Sequence, residues 1–271
     1  MAQTIKVLKK NKVDLDNDNI TITVTDAVAT NTGQDFVDFV RNRNNTSAWL
    51  TTDTTDAANT TLEVDMADTE VVDKIILVGH NFKAFTVKYW SGIAWVDFST
   101  PISETINATS TAWFTFDQVS TDKLQIIITG CQTVDEDKIL TQLIVGEELA
   151  QLEAYPEIRR PRHISNRRKA KMLSGKLNVI EAVGRFSVQL KMKYWNSDAD
   201  LNAIEGIYFN RVPVLLWLCG GDEDQFKFKR VGYRLEDLYL VRPTNDYTPE
   251  WFKGVYTTGL KITVALDEVV D

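Results

Sequence analysis

Apolar and polar residues alternate in several short segments of the first half of the chain. Residues 20–25 (ITITVT) and 62–66 (LEVDM) place apolar side chains at every second position, which predicts strands with one face toward a core and one toward solvent. Residues 75–78 (IILV) form a continuous apolar run, which is typical of a strand buried on both faces. The pattern therefore predicts a series of short β-strands.

A hairpin is predicted where Ser91-Gly92 separates two strand-like segments, residues 85–90 and 94–98, because such dipeptides favour tight turns. Two further strands and one short helix are expected at residues 113–116, 124–129 and 34–40. Short strands at even spacing with turn signals between them are typical of a sandwich or a jelly roll. Residues 1–150 are therefore predicted to form one β-sandwich domain.

The second half of the chain returns to strand patterns. Ser197 and Asp198 offer an N-cap to a short helix at 201–207, which has apolar residues at 201, 204 and 207. The strands expected around it are residues 178–181, 186–194, 212–218, 226–229, 235–241 and 259–266. A chain of 271 residues favours two domains. We therefore expect an all-β protein whose second, smaller domain, residues 177–271, is β-rich with one short helix.

A basic stretch separates the two predicted domains in a chain of net charge −8. Pro156 and Pro161 disfavour a helix there, which predicts an extended linker or arm over residues 151–176. The stretch is open to three interpretations: contacts with nucleic acid, contacts with acidic patches of partner subunits, or a solvated connector. The acidic net charge makes nucleic acid the weakest of these, and arginine pairs well with carboxylates. The candidate subunit contacts are Arg159, Arg160, Arg162, Arg167, Arg168, Lys169 and Lys171.

Motifs of enzymes, metal proteins and disulfide-rich proteins are missing from the sequence. Cys131 and Cys219 lie far apart and neither belongs to a CxxC pair. The two histidines, His80 and His163, have no second ligand at metal spacing. The sequence contains no GxSxG elbow, P-loop or GxGxxG. We therefore expect no catalytic site and no cofactor.

Neither a membrane segment nor a secretory signal is expected. The longest apolar runs are far shorter than the roughly 20 residues that span a bilayer. The N-terminal sequence MAQTIKVLKK lacks an apolar segment and a small-residue cleavage pattern. Synthesis in a cytoplasm is therefore expected.

Two weaker binding signals remain in the first half. Residues 14–19 (DLDNDN) alternate oxygen-bearing side chains as a calcium loop does, but Asn19 and Thr25 replace the Gly and the bidentate Glu of an EF-hand. A solvated turn is the simpler interpretation. Trp90 and Trp95 flank the predicted hairpin turn, and tryptophan there serves either core packing or a platform for a sugar ring.

The order of these segments resembles the discoidin-like (F5/8 type C-like) jelly roll, in the version found in virion proteins of tailed bacteriophages. The resemblance rests on the segments TSAWL at 46–50, LEVDM at 62–66, IILVGHNF at 75–82 and FTVKYW at 85–90. In that family a Trp-Leu segment, a Leu-x-Val-Asp-Leu strand and a Gly-His-Asn-Leu turn recur in this order. Met66 and Phe82 replace the commoner leucines. Residues 201–207, PVLLW at 213–217, Tyr256 and VALDEV at 264–269 similarly resemble phage tail proteins.

This resemblance implies a non-enzymatic structural protein in the tail or baseplate of a tailed bacteriophage virion, made in the host bacterial cytoplasm. Its partners would be other copies of itself and other tail proteins, in a cyclic homo-oligomer with threefold or sixfold symmetry. The alternative is a glycan-binding host-attachment module that uses loops of the discoidin-like domain. Its candidate contacts are Trp90, Trp95, His80 and Asn81, although His80 and Asn81 also suit a structural role in the turn after a buried strand.

Overall fold

A computed structural model gives the fold of the protein. It describes the chain apart from residues 1–2, 27–31, 44–46, 53–58, 155–158, 165–166, 172–176, 182–184, 194–197, 211–212, 218–237, 245, 247–249, 254–257 and 270–271, and for most of 152–201 and 251–263 it describes the backbone alone. The helices are a 3-10 helix, Gln34–Arg41, and α1, Asp198–Asn210. The strands are β1 Gln3–Leu8, β2 Thr21–Asp26, β3 Trp49–Leu50, β4 Thr60–His80, β5 Phe82–Trp90, β6 Trp95–Glu104, β7 Thr111–Cys131, β8 Ile139–Gly146, β9 Glu148–Ala154, β10 Arg159–Ile164, β11 Arg167–Lys171, β12 Leu177–Glu181, β13 Arg185–Lys193, β14 Val214–Trp217, β15 Leu238–Pro243, β16 Glu250–Lys253 and β17 Thr258–Glu268.

Residues 10–148 form an antiparallel β-sandwich in which two long strands are shared by both sheets. The first part of β4 and the second part of β7 join β2, β5 and β6 in a five-stranded sheet, in the order β2-β4-β7-β5-β6. The remaining parts of β4 and β7 join β3 and β8 in a four-stranded sheet, in the order β3-β8-β4-β7. One buried cluster takes side chains from both sheets, so the sheets enclose a single core.

The long strand β4 changes the side that it turns toward the core. Leu62 and Val64, at even positions, are in the core, whereas Ile75 and Leu77, at odd positions, are in the core further along. The register with β7 shifts twice between Asp65 and residue 74. Because side chains alternate between faces, an irregularity of this kind exchanges the faces and lets one strand serve two sheets. The sequence predicted this strand as two separate segments, since the break in alternation resembles a loop.

The second unit contains a larger antiparallel sheet and one helix. Its strand order is β10-β13-β17-β15-β14-β1-β9, with β16 paired to β17. Its core includes Leu216, Val241 and Leu266 from the sheet, and Ile204 and Ile207 from α1. The spacing of three between these isoleucines puts them on one helical face. The predicted helix at 201–207 is therefore present and extends over 198–210.

Two segments are placed differently from the prediction. Strand β1, which the sequence groups with the sandwich, pairs antiparallel with β14 of the second unit. The basic stretch, expected to be an extended linker, contains paired strands: β10 pairs with β13, and β11 pairs with β12 in a separate two-stranded sheet. Pro161 lies in β10 at the point where the register with β13 shifts, which is where a sheet tolerates proline.

The fold class predicted from the sequence is confirmed. The described chain is mainly β, with a sandwich of antiparallel sheets and a further β-rich unit that carries one short α-helix. No helix in the described ranges is both long enough and apolar enough to cross a membrane. The strand expected at 226–229 lies outside the described residues.

Candidate functional site

The hairpin between β5 and β6 presents two tryptophans at the edge of the five-stranded sheet. The Ser91 amide donates to the Ala94 carbonyl oxygen at 3.0 Å, and the Ala94 amide donates to the Ser91 hydroxyl at 3.2 Å. Gly92 adopts the left-handed region, with φ of 90°, a conformation that glycine adopts without steric cost. These contacts close the predicted turn and fix the register in which Trp90 faces Trp95.

The two indole rings lie side by side on the solvent face of the sheet. Phe85 and Val87 of β5 are buried in the core, so the residues that alternate with them, Thr86, Lys88 and Trp90, point the other way. The Trp90 and Trp95 ring centroids are 5.3 Å apart with an angle of 65° between the planes. Both side chains are half-buried. The pair therefore forms an angled apolar corner that water reaches, beside the 88% exposed Ile93.

The same sheet face continues from this corner as a polar surface. One row crosses all five strands in register: Asp97 of β6, Lys88 of β5, Gln125 of β7, Glu63 of β4 and Thr23 of β2. Each of these side chains is exposed or half-buried. A second row contains Ser103, Thr86, Ile127, Thr61 and Thr25. The face is thus open and rich in hydroxyl and amide groups.

Ion pairs neutralise most of the charge on this face. The Lys88 ammonium lies 3.4 Å from Asp97, and the Lys123 ammonium lies 2.6 Å from Asp65. The hydrogen bond from Lys123, followed by that from the Ala67 amide, lowers the pKa of Asp65, and the same bond to Asp65 raises the pKa of Lys123. Each pair brings one basic and one acidic side chain together, so neither presents a strong single-sign field.

His80 and Asn81 lie at the other end of β5 and belong to the fold. His80 is 3% exposed, and its Nδ1 atom accepts a hydrogen bond from the Phe82 amide at 3.1 Å. The Asn81 side chain donates to the Asp137 carbonyl oxygen at 2.7 Å and accepts from the Ile139 amide at 2.9 Å. These bonds hold the loop before β8. These contacts fit the structural role in the turn; His80 is buried, whereas Asn81 is half-buried.

The turn that contains them requires a glycine. Gly79 has a φ of 63°, and a Cβ atom there would lie 2.3 Å from the Thr141 hydroxyl oxygen.

Strand β5 is nine residues long, so its two ends are about 26 Å apart. The sequence candidates His80 and Asn81 therefore do not share a site with Trp90 and Trp95.

The acidic segment 14–19 holds an arginine. Arg43 donates to both carboxylate oxygens of Asp14, at 2.8 and 2.6 Å, and to Asp16 at 2.5 Å. Lys10 pairs with Asp16 at 2.9 Å. A guanidinium and an ammonium thus occupy the place that a calcium ion would take. Within the ranges that the structure describes, no group of three or more His, Cys, Asp and Glu side chains is arranged to hold a metal ion.

The candidate subunit contacts lie in two strands that follow one another along the chain. Arg159, Arg160 and Arg162 lie in β10, while Arg167, Arg168, Lys169 and Lys171 lie in β11. The register of β11 places Arg167 opposite Glu181. Only the backbone of these strands is described, so their contacts with other subunits stay a prediction.

The sequence missed the polar row and a buried ion pair. Gln125 and Glu63 alternate with core residues, which signals an outward direction, but the sequence does not show which strands are neighbours. The Lys138 ammonium lies 3.9 Å from the Asp26 carboxylate, and both side chains are fully buried. Nothing in the local sequence distinguishes Lys138 from a surface lysine.

Comparison with known proteins adds distant structural matches. No protein-family model and no curated protein sequence matches the chain. A chitosan-binding module of a chitosanase/glucanase from Paenibacillus sp. IK-5 is 13% identical, with 51% of this chain and 98% of that chain covered and a TM-score of 0.40. CpGH89CBM32-5 from Clostridium perfringens, in complex with GalNAc-β-1,3-galactose, is 10% identical over 48% and 96%, with a TM-score of 0.38. A Ruminococcus gnavus GH29 fucosidase in complex with fucose is 12% identical over 51% and 27%, with a TM-score of 0.39.

Proposed function

We propose that this chain is a non-catalytic binding protein whose sandwich recognises a carbohydrate through the Trp90–Trp95 corner. The observation that carries the proposal is the position of both indoles on the open face of the five-stranded sheet, at 5.3 Å from each other and partly in contact with water. A half-exposed pair of tryptophans is expensive to hydrate unless a ligand covers it. The apolar face of a sugar ring fits such a surface, and the neighbouring polar groups orient its hydroxyls.

Core packing is the competing explanation of these tryptophans. It accounts for Trp49, which is 0% exposed and donates from its indole nitrogen to the Thr32 carbonyl oxygen at 3.0 Å. It does not account for Trp90, whose neighbours in β5 at odd positions form the core instead. Recognition of a ligand explains why the bulky side chains are on the solvent face.

Replacing both Trp90 and Trp95 by alanine is expected to weaken glycan binding at least about thirtyfold, since the loss of even one central aromatic contact costs about 2 kcal/mol. A glycan array first identifies ligands, and it should include chitosan oligosaccharides and GalNAc-β-1,3-galactose, the carbohydrates named for the matched proteins. Isothermal titration calorimetry then compares the wild type and the variant.

The matched control is Trp113→Ala, which should bind normally. Trp113 is a half-buried tryptophan in the part of β7 that belongs to the other sheet. Equal binding by the double variant and the wild type would contradict the proposal.

A second candidate function is a structural subunit of a tailed-phage tail or baseplate. It rests on the sequence resemblance, and the order of the chain suits a scaffold of this kind, because β1 and β9 are neighbours in one sheet and the whole sandwich is inserted between them. An insertion between adjacent strands lets a scaffold carry a separate binding domain. The two functions are compatible, because a host-attachment protein needs both a scaffold and a recognition surface.

The structural candidate predicts a ring-shaped oligomer with threefold or sixfold symmetry. Replacing Arg167 and Arg168 by glutamine should shift it toward monomers, since interface contacts of arginine with acidic surfaces would be lost. Light scattering gives the solution mass, and negative-stain imaging gives the shape. A wild type that is monomeric at every concentration, with the variant indistinguishable from it, would count against this candidate.

A further inference from the structure

The face beyond the tryptophan corner carries hydrogen-bonding side chains that face solvent. Gln125, Glu63 and Thr23 are consecutive members of the row that crosses the five-stranded sheet. Within the part of the chain that the structure describes, their side chains take part in no ion pair or hydrogen bond. Each of the three is half-buried or exposed. An amide, a carboxylate and a hydroxyl thus face solvent side by side.

The spacing of this row matches an extended ligand. Neighbouring strands are about 4.8 Å apart, so the row from Asp97 of β6 to Thr23 of β2 extends about 19 Å across the sheet. The Trp90–Trp95 pair lies next to the Lys88–Asp97 pair at the β6 end of the same face. A ligand that stacks on the tryptophans can continue along the row only if it is long.

The charge of the face selects among long ligands. The acidic residues of its paired positions are Asp97, Glu63 and Asp65, and the basic ones are Lys88 and Lys123, so acidic side chains outnumber basic ones by one. Both lysines are paired with carboxylates. Nucleic acids, acidic glycans and anionic lipid surfaces need an excess of free positive charge, which this face lacks. An uncharged polymer rich in hydroxyl groups fits it.

We infer that the open face of the five-stranded sheet is an extended site for a linear, uncharged polysaccharide, with the Trp90–Trp95 corner at one end and Gln125, Glu63 and Thr23 contacting the sugars beyond it. This inference rests on the proposed carbohydrate-binding function and adds the substrate class and the direction of the bound chain. The ordinary alternative is a solvated sheet face, on which polar residues only maintain contact with water.

The test measures affinity against ligand length. The probes are cello-oligosaccharides and N-acetylchito-oligosaccharides of one to six units, titrated by calorimetry into the full-length protein. The wild type is expected to bind five-unit probes about tenfold or more tightly than two-unit probes, because the row adds hydrogen bonds only for long ligands. Gln125→Ala/Glu63→Ala should remove this gain and leave the affinity for two units unchanged. Asp117→Ala/Gln118→Ala, two exposed residues of β7 outside the row, should bind as the wild type does.

The outcomes separate the inference from the function on which it rests. Binding of two units with no gain at five units, or a gain that persists in Gln125→Ala/Glu63→Ala, overturns the extended site and leaves the tryptophan corner in place. Failure of every probe to bind the wild type overturns the inference together with its assignment of an uncharged linear ligand. Loss of all binding in the Trp90→Ala/Trp95→Ala variant, together with loss of the length gain alone in Gln125→Ala/Glu63→Ala, supports both.

Discussion

Replacing Lys138 by methionine is expected to lower the free energy of unfolding of the sandwich by about 3–5 kcal/mol, the usual effect of breaking a buried ion pair. The Lys138 ammonium and the Asp26 carboxylate are 3.9 Å apart, and neither side chain is exposed. Asp26 also accepts a hydrogen bond from the Thr60 hydroxyl. Methionine keeps much of the volume of lysine, so the loss arises from a buried carboxylate that no longer faces its cation. Urea unfolding at neutral pH gives the measurement.

Two further variants separate burial from simple pairing. Lys123→Met removes the shorter pair with Asp65, at 2.6 Å, but both of its side chains are about one-third exposed, so water compensates and the expected loss is below about 1 kcal/mol. Lys138→Met/Asp26→Asn removes both buried charges and should recover most of the stability. If Lys138→Met is no more destabilised than Lys123→Met, the buried pair does not contribute as argued.

Acidification from pH 7.5 to pH 5 is expected to cost the sandwich about 2 kcal/mol through His80 alone. Burial lowers the pKa of His80 to about 4, compared with about 6.5 for an unfolded histidine. Between these values the unfolded chain binds a proton that the folded chain does not bind. Stability is therefore complete above pH 6.5, falls as the pH falls toward 4, and changes no further below that.

The contacts of His80 explain why the folded state resists protonation. Its Nδ1 atom accepts a hydrogen bond from the Phe82 amide, so the neutral ring carries its proton on Nε2, which is buried without a hydrogen-bond partner among the described residues. The ring contacts Phe82 and Phe85, with centroids 5.0 and 5.8 Å away. A second proton would place a positive charge among aromatic rings. It would also turn Nδ1 into a donor that faces another donor, the Phe82 amide.

The two histidines allow a matched comparison. His80→Asn keeps an acceptor for the Phe82 amide but cannot titrate, so its stability should change little between pH 7.5 and pH 5. His163→Asn should keep the dependence of the wild type. Asp16 and Asp65 interfere little in this range because hydrogen bonds, first from Lys10 and Lys123 respectively, lower their pKa values, so their contribution is lost only below pH 4. Equal pH dependence in His80→Asn and the wild type would contradict the assignment.

The tryptophan corner of the candidate site could be predicted from the sequence, whereas the polar row could not. Ser91-Gly92 between two alternating segments predicted the hairpin, and the hairpin brings Trp90 opposite Trp95 because a tight turn fixes the register of its own strands. In the structure His80 and Asn81 lie away from this pair, although the sequence analysis grouped all four residues as candidate glycan contacts. His80 and Asn81 precede β5 and Trp90 ends it, so the length of this one strand separates the two groups.

The sequence by itself determined which residues face the core in the regularly alternating strands, such as residues 20–25 and 62–66, because the two-residue period of a strand is local. Other local patterns predicted the helix at α1, from its apolar residues three positions apart, and the turn at Gly92, from the Ser91-Gly92 dipeptide. Together these patterns predicted the class of the fold. Only the tertiary structure decided which strands are neighbours: Gln125 lies beside Glu63 and Lys88, β1 joins β14, and Lys138 meets Asp26 inside the sandwich. The free energy that fixes these contacts comes from burial of surfaces far apart in the chain, and no local pattern encodes such a pairing.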